Sequence, residues 1–397
     1  MFDPSPSSQL RVGSSSVRVR TDFAGGNGIV CEVAETAGLV RVDFAADPRN
    51  CPEPLWFHFR VEGLGGRELR CRLTNGEETL GGGDWSKNRP VYRGDEGDWR
   101  RCGAPSEEKT ASGRRLFAFL LPSGHETVEF AHCYPYQFAD LEKTLADTGD
   151  AWQGEVIGYS HRGRPIPRLA SAPGCEDGQR PGVYLLARQH AGETPGSWVL
   201  DGLLRFLAQN EAAREAAIWW AVPFVDVDDV VEGSYGKDPL PVDCNRAWYE
   251  LPLRTETVAI SRDIRRWAKR CRPRILIDLH APAHQERQTY VHLPRHGRSQ
   301  RERELVQDFA ERFHEALPEE LAGETSWTTP SYPSRYTVGT TVSNWFYDNF
   351  ALPGVGLETS YQGTPDRDYS LTDYHRIGGA LATVLAELVQ EPRAQGA

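Results

Sequence analysis

Arg188-Gln189-His190-Ala191-Gly192-Glu193-Thr194-Pro195-Gly196 follows a short apolar run, Val183-Tyr184-Leu185-Leu186-Ala187. Such a run fits a strand buried in a parallel sheet. A helix is expected next, with Thr194 as its N-cap and Pro195 at the first helical position. Trp198, Leu203, Leu204, Phe206 and Leu207 would form its apolar face. His190 and Glu193 then occupy the turn at the C-terminal end of a strand, the edge at which open α/β sheets carry their sites. An imidazole and a carboxylate three residues apart meet across a tight turn. With one further histidine they make a His-His-Glu set suited to a catalytic zinc that keeps its fourth position open.

The same strand-then-helix alternation continues outward. Apolar strands are expected near Pro181–Arg188, Ile218–Asp226, Arg274–His280 and Gly354–Ser360. Helices are expected near Ala139–Thr148, Pro195–Gln209, Thr255–Arg270, Ser299–Leu317 and Leu371–Val389. This predicts a mainly parallel or mixed sheet with helices on both faces. Ahead of it, from about Val17 to Cys133, short segments alternate apolar and polar residues between Gly, Pro, Asn and Asp clusters, as in Leu39–Phe44, Leu55–Val61 and Glu68–Leu73. That spacing predicts an antiparallel β-sandwich, with His58 packed or solvated within a strand. The expected fold class is therefore α/β, a sandwich over residues 1–136 followed by an α/β domain over 137–397.

A net charge of −11 argues against nucleic acid or an anionic membrane as a partner. No apolar run has the length of a membrane span, and the N-terminal residues lack the basic and apolar regions of a signal peptide. The eight cysteines are scattered without a CxxC pair, which reads as reduced thiols in a cytoplasm.

Further chemistry-bearing residues fall at strand ends of the second half. Ile275-Leu276-Ile277-Asp278-Leu279-His280 ends in the natural third metal ligand. In Asp243-Cys244-Asn245-Arg246, the amide and guanidinium suit a carboxylate, and Asp243 can fix the tautomer of a ligating histidine. Val355-Gly356-Leu357-Glu358 ends in a carboxylate whose burial would raise its pKa and fit it as general base. Tyr336 lies on a loop able to cap a substrate.

In this order, His-x-x-Glu, Asn-Arg, histidine and glutamate resemble the zinc metallocarboxypeptidase superfamily. Trp56-Phe57-His58-Phe59-Arg60-Val61, Asn88-Arg89-Pro90-Val91-Tyr92 and Tyr134-Pro135-Tyr136 are similar to the cytosolic carboxypeptidase branch, which carries a β-sandwich before its catalytic domain. The resemblance implies one zinc per chain on His190, Glu193 and His280. It also implies removal of the C-terminal residue of a peptide or protein by metal-activated water with Glu358 as base. Asn245 and Arg246 would hold the terminal carboxylate, and Tyr336 would close over it. A zinc amidase or deacylase, or a protein that only binds peptide C-termini, stays open beside this reading.

Two departures bear on it. The branch has an arginine for the developing oxyanion where Gly233-Ser234-Tyr235-Gly236-Lys237 has a glycine; Lys237, next in line, would supply the charge. The branch also has an arginine sixteen residues before the base, where this chain has Val342. A neutral pocket of Val342 and Ser343, for a small or apolar terminal residue, is the expectation. Oligomeric state is not legible.

Overall fold

The computed structural model describes residues 16–239, 241–249, 253–295, 298–330 and 340–392. The chain forms two compact units. One comprises the residues up to Pro135 together with Val231–Tyr235; the other comprises Tyr136–Val230 and the residues from Gly236 onward. A division at residue 136 gives all of 137–397 to the second unit, whereas Val231–Tyr235 belongs to the first. There the buried Asn27 donates from Nδ2 to the Gly233 carbonyl at 2.7 Å, and Gly25 N donates to Val231 O at 2.8 Å.

Among the described residues the first unit has ten strands: β1 (Arg18–Arg20), β2 (Ile29–Glu35), β3 (Leu39–Ala45), β4 (His58–Glu62), β5 (Glu68–Leu73), β6 (Val91–Gly94), β7 (Arg100–Arg101), β8 (Ser106–Lys109), β9 (Arg115–Leu121) and β10 (Thr127–Ala131). One sheet has the order β1-β4-β10-β6-β7 and is antiparallel throughout; the other has the order β2-β3-β5-β9-β8. In the second, β3 and β5 run parallel. The antiparallel sandwich thus contains one parallel pair, because alternation dictates which face a residue takes and not the direction of its neighbour. Rings from both sheets fill the core: Phe44 of β3 lies 4.8 Å from Phe59 and 5.9 Å from Phe130. His58 is packed rather than solvated, its Nε2 3.3 Å from Glu129 Oε2.

The second unit runs α1 (Phe138–Thr148), β11 (Gln153–Tyr159), β12 (Pro165–Ala170), β13 (Pro181–Ala187), α2 (Thr194–Gln209), α3 (Glu211–Glu215), β14 (Ile218–Val222), α4 (Val227–Glu232), α5 (Thr255–Ala268), β15 (Arg272–His280), β16 (Tyr290–His292), α6 (Gln300–Ala316), β17 (Trp327–Thr328), α7 (Val342–Phe350), β18 (Gly354–Glu358), β19 (Gly363–Thr364), β20 (Arg367–Asp368) and α8 (Leu371–Leu388). The last two residues of α4 belong to the first unit. The main sheet of the second unit has the order β11-β12-β14-β13-β15-β18-β16-β17. The central strands β14, β13, β15 and β18 are parallel, and β12 and β16 join them antiparallel. Both β13 and β14 are apolar almost throughout, as strands covered on both faces must be.

Helix α2 packs on α1 and α8, and α8 on α6, making one helical layer; α5 and α7 meet through Trp267 and Phe346 at 6.4 Å. The α2–α8 contact is close because both helices present glycine. A Cβ at Gly202 would come within 2.4 Å of His375 Cα, and one at Gly378 within 2.2 Å of Val199 O. From β13 the chain runs to β14 on one side and later to β15 on the other. The C-terminal end of β13 is therefore a topological switch point, where crevices form.

Candidate metal centre and active site

The turn after β13 is fixed by Arg188, which takes a left-handed φ of 66° that non-glycine residues rarely adopt. Its buried guanidinium holds the turn from inside, donating to Ala191 O at 2.6 Å, Tyr136 O at 2.9 Å and Ser197 Oγ at 3.3 Å. Burial pulls this guanidinium down to about 10. Thr194 is not the N-cap. It is the first residue of α2, with Glu193 in the capping position, and its Oγ1 lacks a hydrogen-bond partner. Glu193 makes no capping bond because its carboxylate is turned to the histidines.

Sheet register brings the third member to this turn. Ala187 pairs with Leu279, and His280 pairs with Glu358, so the ends of β13, β15 and β18 are level. Glu193 Oε1 lies 2.8 Å from His190 Nδ1, and its Oε2 lies 2.8 Å from His280 Nδ1. One ligand atom from each of the three residues lies within 4.8 Å of the others, and all three residues are buried.

Both imidazoles turn their other nitrogen toward a second carboxylate. Asp243 Oδ2 is 3.2 Å from His190 Nε2, close enough for charge attraction but without hydrogen-bond geometry, and Asp278 Oδ2 is 2.7 Å from His280 Nε2. A proton on His280 Nε2 satisfies Asp278, and with the proton on Nε2 of each ring the Nδ1 lone pairs face Glu193. Acceptor then faces acceptor at 2.8 Å, a contact that needs a cation between. Three buried carboxylates (Glu193, Asp243, Asp278) against the Lys237 ammonium, whose Nζ is 3.6 Å from Glu193 Oε1, also leave two negative charges. The donor set fits a divalent ion. Without one, protons fill the need. Burial lowers the His280 imidazole, but Asp278 and Glu193 outweigh it and hold the group well above its ordinary value. His190 is raised against burial by Glu193 and Asp243. Burial raises Glu193, but His190, Lys237 and His280 hold it well below the carboxylate range.

This has a testable consequence. An imidazole raised on folding adds stability that is complete below its unfolded pKa of about 6.5 and is lost as pH rises through the folded value. Glu193 adds stability above about pH 4.5 that is lost only as pH falls through its depressed folded value. The metal-free protein is thus expected to lose stability above about pH 6.5, where ion binding strengthens because deprotonated imidazole is the ligand. The melting-temperature rise on adding zinc should be larger at pH 8 than at pH 5.5; equal rises would contradict this ligand set.

Asp278 and Gln189 escaped the sequence reading. Asp278 precedes His280 by two, and residues two apart in a strand share a face, so Asp-x-His in an apolar strand was the available signal. Gln189 Nε2 donates to Asp278 Oδ2 at 2.6 Å and Asn245 Oδ1 at 3.2 Å, while its Oε1 accepts from Trp248 Nε1 at 2.7 Å. It ties the His280 partner to the Asn-Arg segment. That segment is a single turn of 3-10 helix, Cys244–Arg246, capped by Asp243, whose Oδ1 accepts from Asn245 N at 2.6 Å.

Gly236, just before Lys237, has a φ of +77°, and a Cβ there would stand 2.6 Å from Ala191 N. This position cannot carry a side chain, and Lys237 reaches the centre instead.

His190, Lys237, Asn245, Arg246, His280 and Glu358 line one cavity of about 150 Å³, with His292, Arg295, Ser343 and Asn344 completing much of its wall. Val342 is not on the wall. It is fully buried at the start of α7, so of the expected Val342 and Ser343 pocket only Ser343 lines the cavity, beside Arg295, Asn344 and the apolar Leu293 and Pro294. Tyr336 lies outside the described residues. Glu358 also departs from expectation. Burial raises its carboxyl, but the hydrogen bond and charge of His292 and the charge of His280 prevail, and the net direction is down.

Residues 19–132 match the cytosolic carboxypeptidase N-terminal domain family. Human cytosolic carboxypeptidase 1 is 26% identical over 235 residues, 49% of this chain and 19% of the human protein. Mouse cytosolic carboxypeptidase 6 is 28% identical over 254 residues, 54% of this chain and 45% of the mouse protein. The chain thus spans less than half the length of these relatives. A metallo-carboxypeptidase from Burkholderia cenocepacia shares the fold with a TM-score of 0.77 at 18% identity, covering 94% of this chain and 99% of that one. One from Pseudomonas aeruginosa, in complex with (2-guanidinoethylmercapto)succinic acid, does so with a TM-score of 0.75 at 21% identity, covering 94% and 99%. Sandwich, fold and sequence relatives point the same way: residues 19–132 are those of a cytosolic carboxypeptidase N-terminal domain, the sequence is similar to cytosolic carboxypeptidases over about half its length, and the chain shares its fold with metallo-carboxypeptidases.

Proposed function

We propose that the chain is a zinc-dependent carboxypeptidase that removes the C-terminal residue from peptides. The observation that carries this is the meeting of Glu193 with His190 and His280, both on the wall of a cavity also lined by Arg246 and Glu358. His190 and His280 would hold the ion through Nδ1, and Glu193 through its carboxylate. When bound, the ion supplies Lewis-acid chemistry, acidifying water and polarising a carbonyl.

The remaining steps belong to the chain. Arg246, with Asn245, would take the substrate's terminal carboxylate, and the guanidinium fork matches its geometry. That anchoring would admit the last peptide bond and no other. Glu358 would accept the proton of the attacking water and return it to the leaving amine. Lys237 would place an ammonium beside the oxygen on which negative charge develops. Arg295, Ser343 and Asn344 favour a polar or acidic terminal side chain over an apolar one. A panel of peptides with varied last residues, each as free acid and as amide, tests this: trimming should be confined to the acids.

Lys237→Ala should lower kcat at least about tenfold if the ammonium serves the oxyanion. Its metal content must be measured alongside, since Nζ also neighbours Glu193. A full-rate, fully loaded variant would remove Lys237 from this role.

A further inference from the structure

One contact at the cavity belongs to no role assigned so far. His292 ends β16, which runs antiparallel to β18, and its Nε2 lies 3.2 Å from Glu358 Oε1. The register explains the reach. Tyr290 pairs with Glu358 and His292 with Gly356, so His292 and Glu358 are diagonal neighbours on one face, within range of a long side chain. Gly356, directly opposite His292, has no side chain to block the diagonal.

The ring is itself supported. It stands edge-on to Tyr290 at 5.3 Å, and the buried Tyr290 is held by its hydroxyl donating to Glu286 Oε2 at 2.8 Å. Glu358 is an ionised carboxylate and accepts only, so the nitrogen facing it carries the proton. A glutamate at a strand end has three side-chain torsions, and a base must be held near one geometry to act.

We propose that His292 is a positioning residue for Glu358: by donating from Nε2 to Oε1 it fixes the carboxylate with its second oxygen toward the cavity. The inference rests on Glu358 being the base of the proposed reaction. It adds a residue that neither touches the ion nor holds the substrate's carboxylate.

The test compares His292→Ala and His292→Gln with wild type, using zinc-loaded protein and a peptide that wild type trims. A misplacement of 1 Å costs up to about 10²-fold. His292→Ala is therefore expected to lose about tenfold or more in kcat, with KM within about twofold and one zinc retained. His292→Gln keeps an N–H at a similar reach and should recover kcat to within about threefold of wild type. Crystal structures of the metal-free proteins give a second readout, in which the Glu358 carboxylate should move by about 1 Å or more in the alanine variant and return in the glutamine variant. An unchanged kcat, a loss confined to KM, or an unmoved carboxylate would each overturn the positioning role. The crystallographic arm needs no activity. Wild type that trims no peptide defeats the carboxypeptidase reading, whereas an unmoved carboxylate defeats the inference by itself.

Discussion

Glu358→Gln is expected to lower turnover of a free-acid peptide by about 10²–10⁴-fold while the protein still binds one zinc. The glutamine keeps the size of the side chain and an oxygen for the His292 N–H to reach, but an amide cannot take a proton from water. The loss corresponds to about 3–5 kcal/mol of transition-state stabilisation. It should fall on kcat, with KM little changed, because Glu358 holds neither the terminal carboxylate nor the ion. Metal analysis and steady-state kinetics on the same sample check this, and retained turnover would remove Glu358 from the role of base.

The second large effect is on the ion. His280→Ala removes one imidazole donor and strips Glu193 Oε2 and Asp278 Oδ2 of a partner at 2.8 and 2.7 Å. Asp278 keeps Gln189 Nε2, and Glu193 keeps Ala281 N at 3.1 Å, so the carboxylates retain donors while the ligand set is broken. The variant is expected to emerge from dialysis without zinc and without activity. Asp278→Asn keeps all three ligands but weakens the support of His280, and should cost about 10–100-fold in zinc affinity. Zinc titration of both variants checks the order. Full metal content in His280→Ala would refute the ligand assignment.

The parts legible in sequence were those that local pattern determines. The apolar runs ending at Ala187 and His280 gave strands whose ends carry the ligands, and the helix expected near Leu371–Val389 is α8. What escaped depends on partners far along the chain. The parallel direction of β3 and β5 leaves no trace in alternation. Val231–Tyr235 belongs to the first unit through Asn27, some two hundred residues away. Thr194 has the residue type of a cap, but the carboxylate before it serves the histidines and α2 starts one residue early. Val342 lies sixteen positions before the base, yet the turn of α7 directs Ser343 and Asn344, not Val342, to the cavity. His292 reaches Glu358 only through the register of β16 on β18.

The most direct measurement titrates zinc into metal-free wild type and Glu358→Gln while mass spectrometry follows a free-acid peptide and its amide. Wild-type trimming of the acid is expected to rise to a plateau at one ion per chain with the amide intact, while the variant takes up one ion and trims neither. Full trimming without metal, or one bound ion with no peptide trimmed by wild type, would contradict the carboxypeptidase reading.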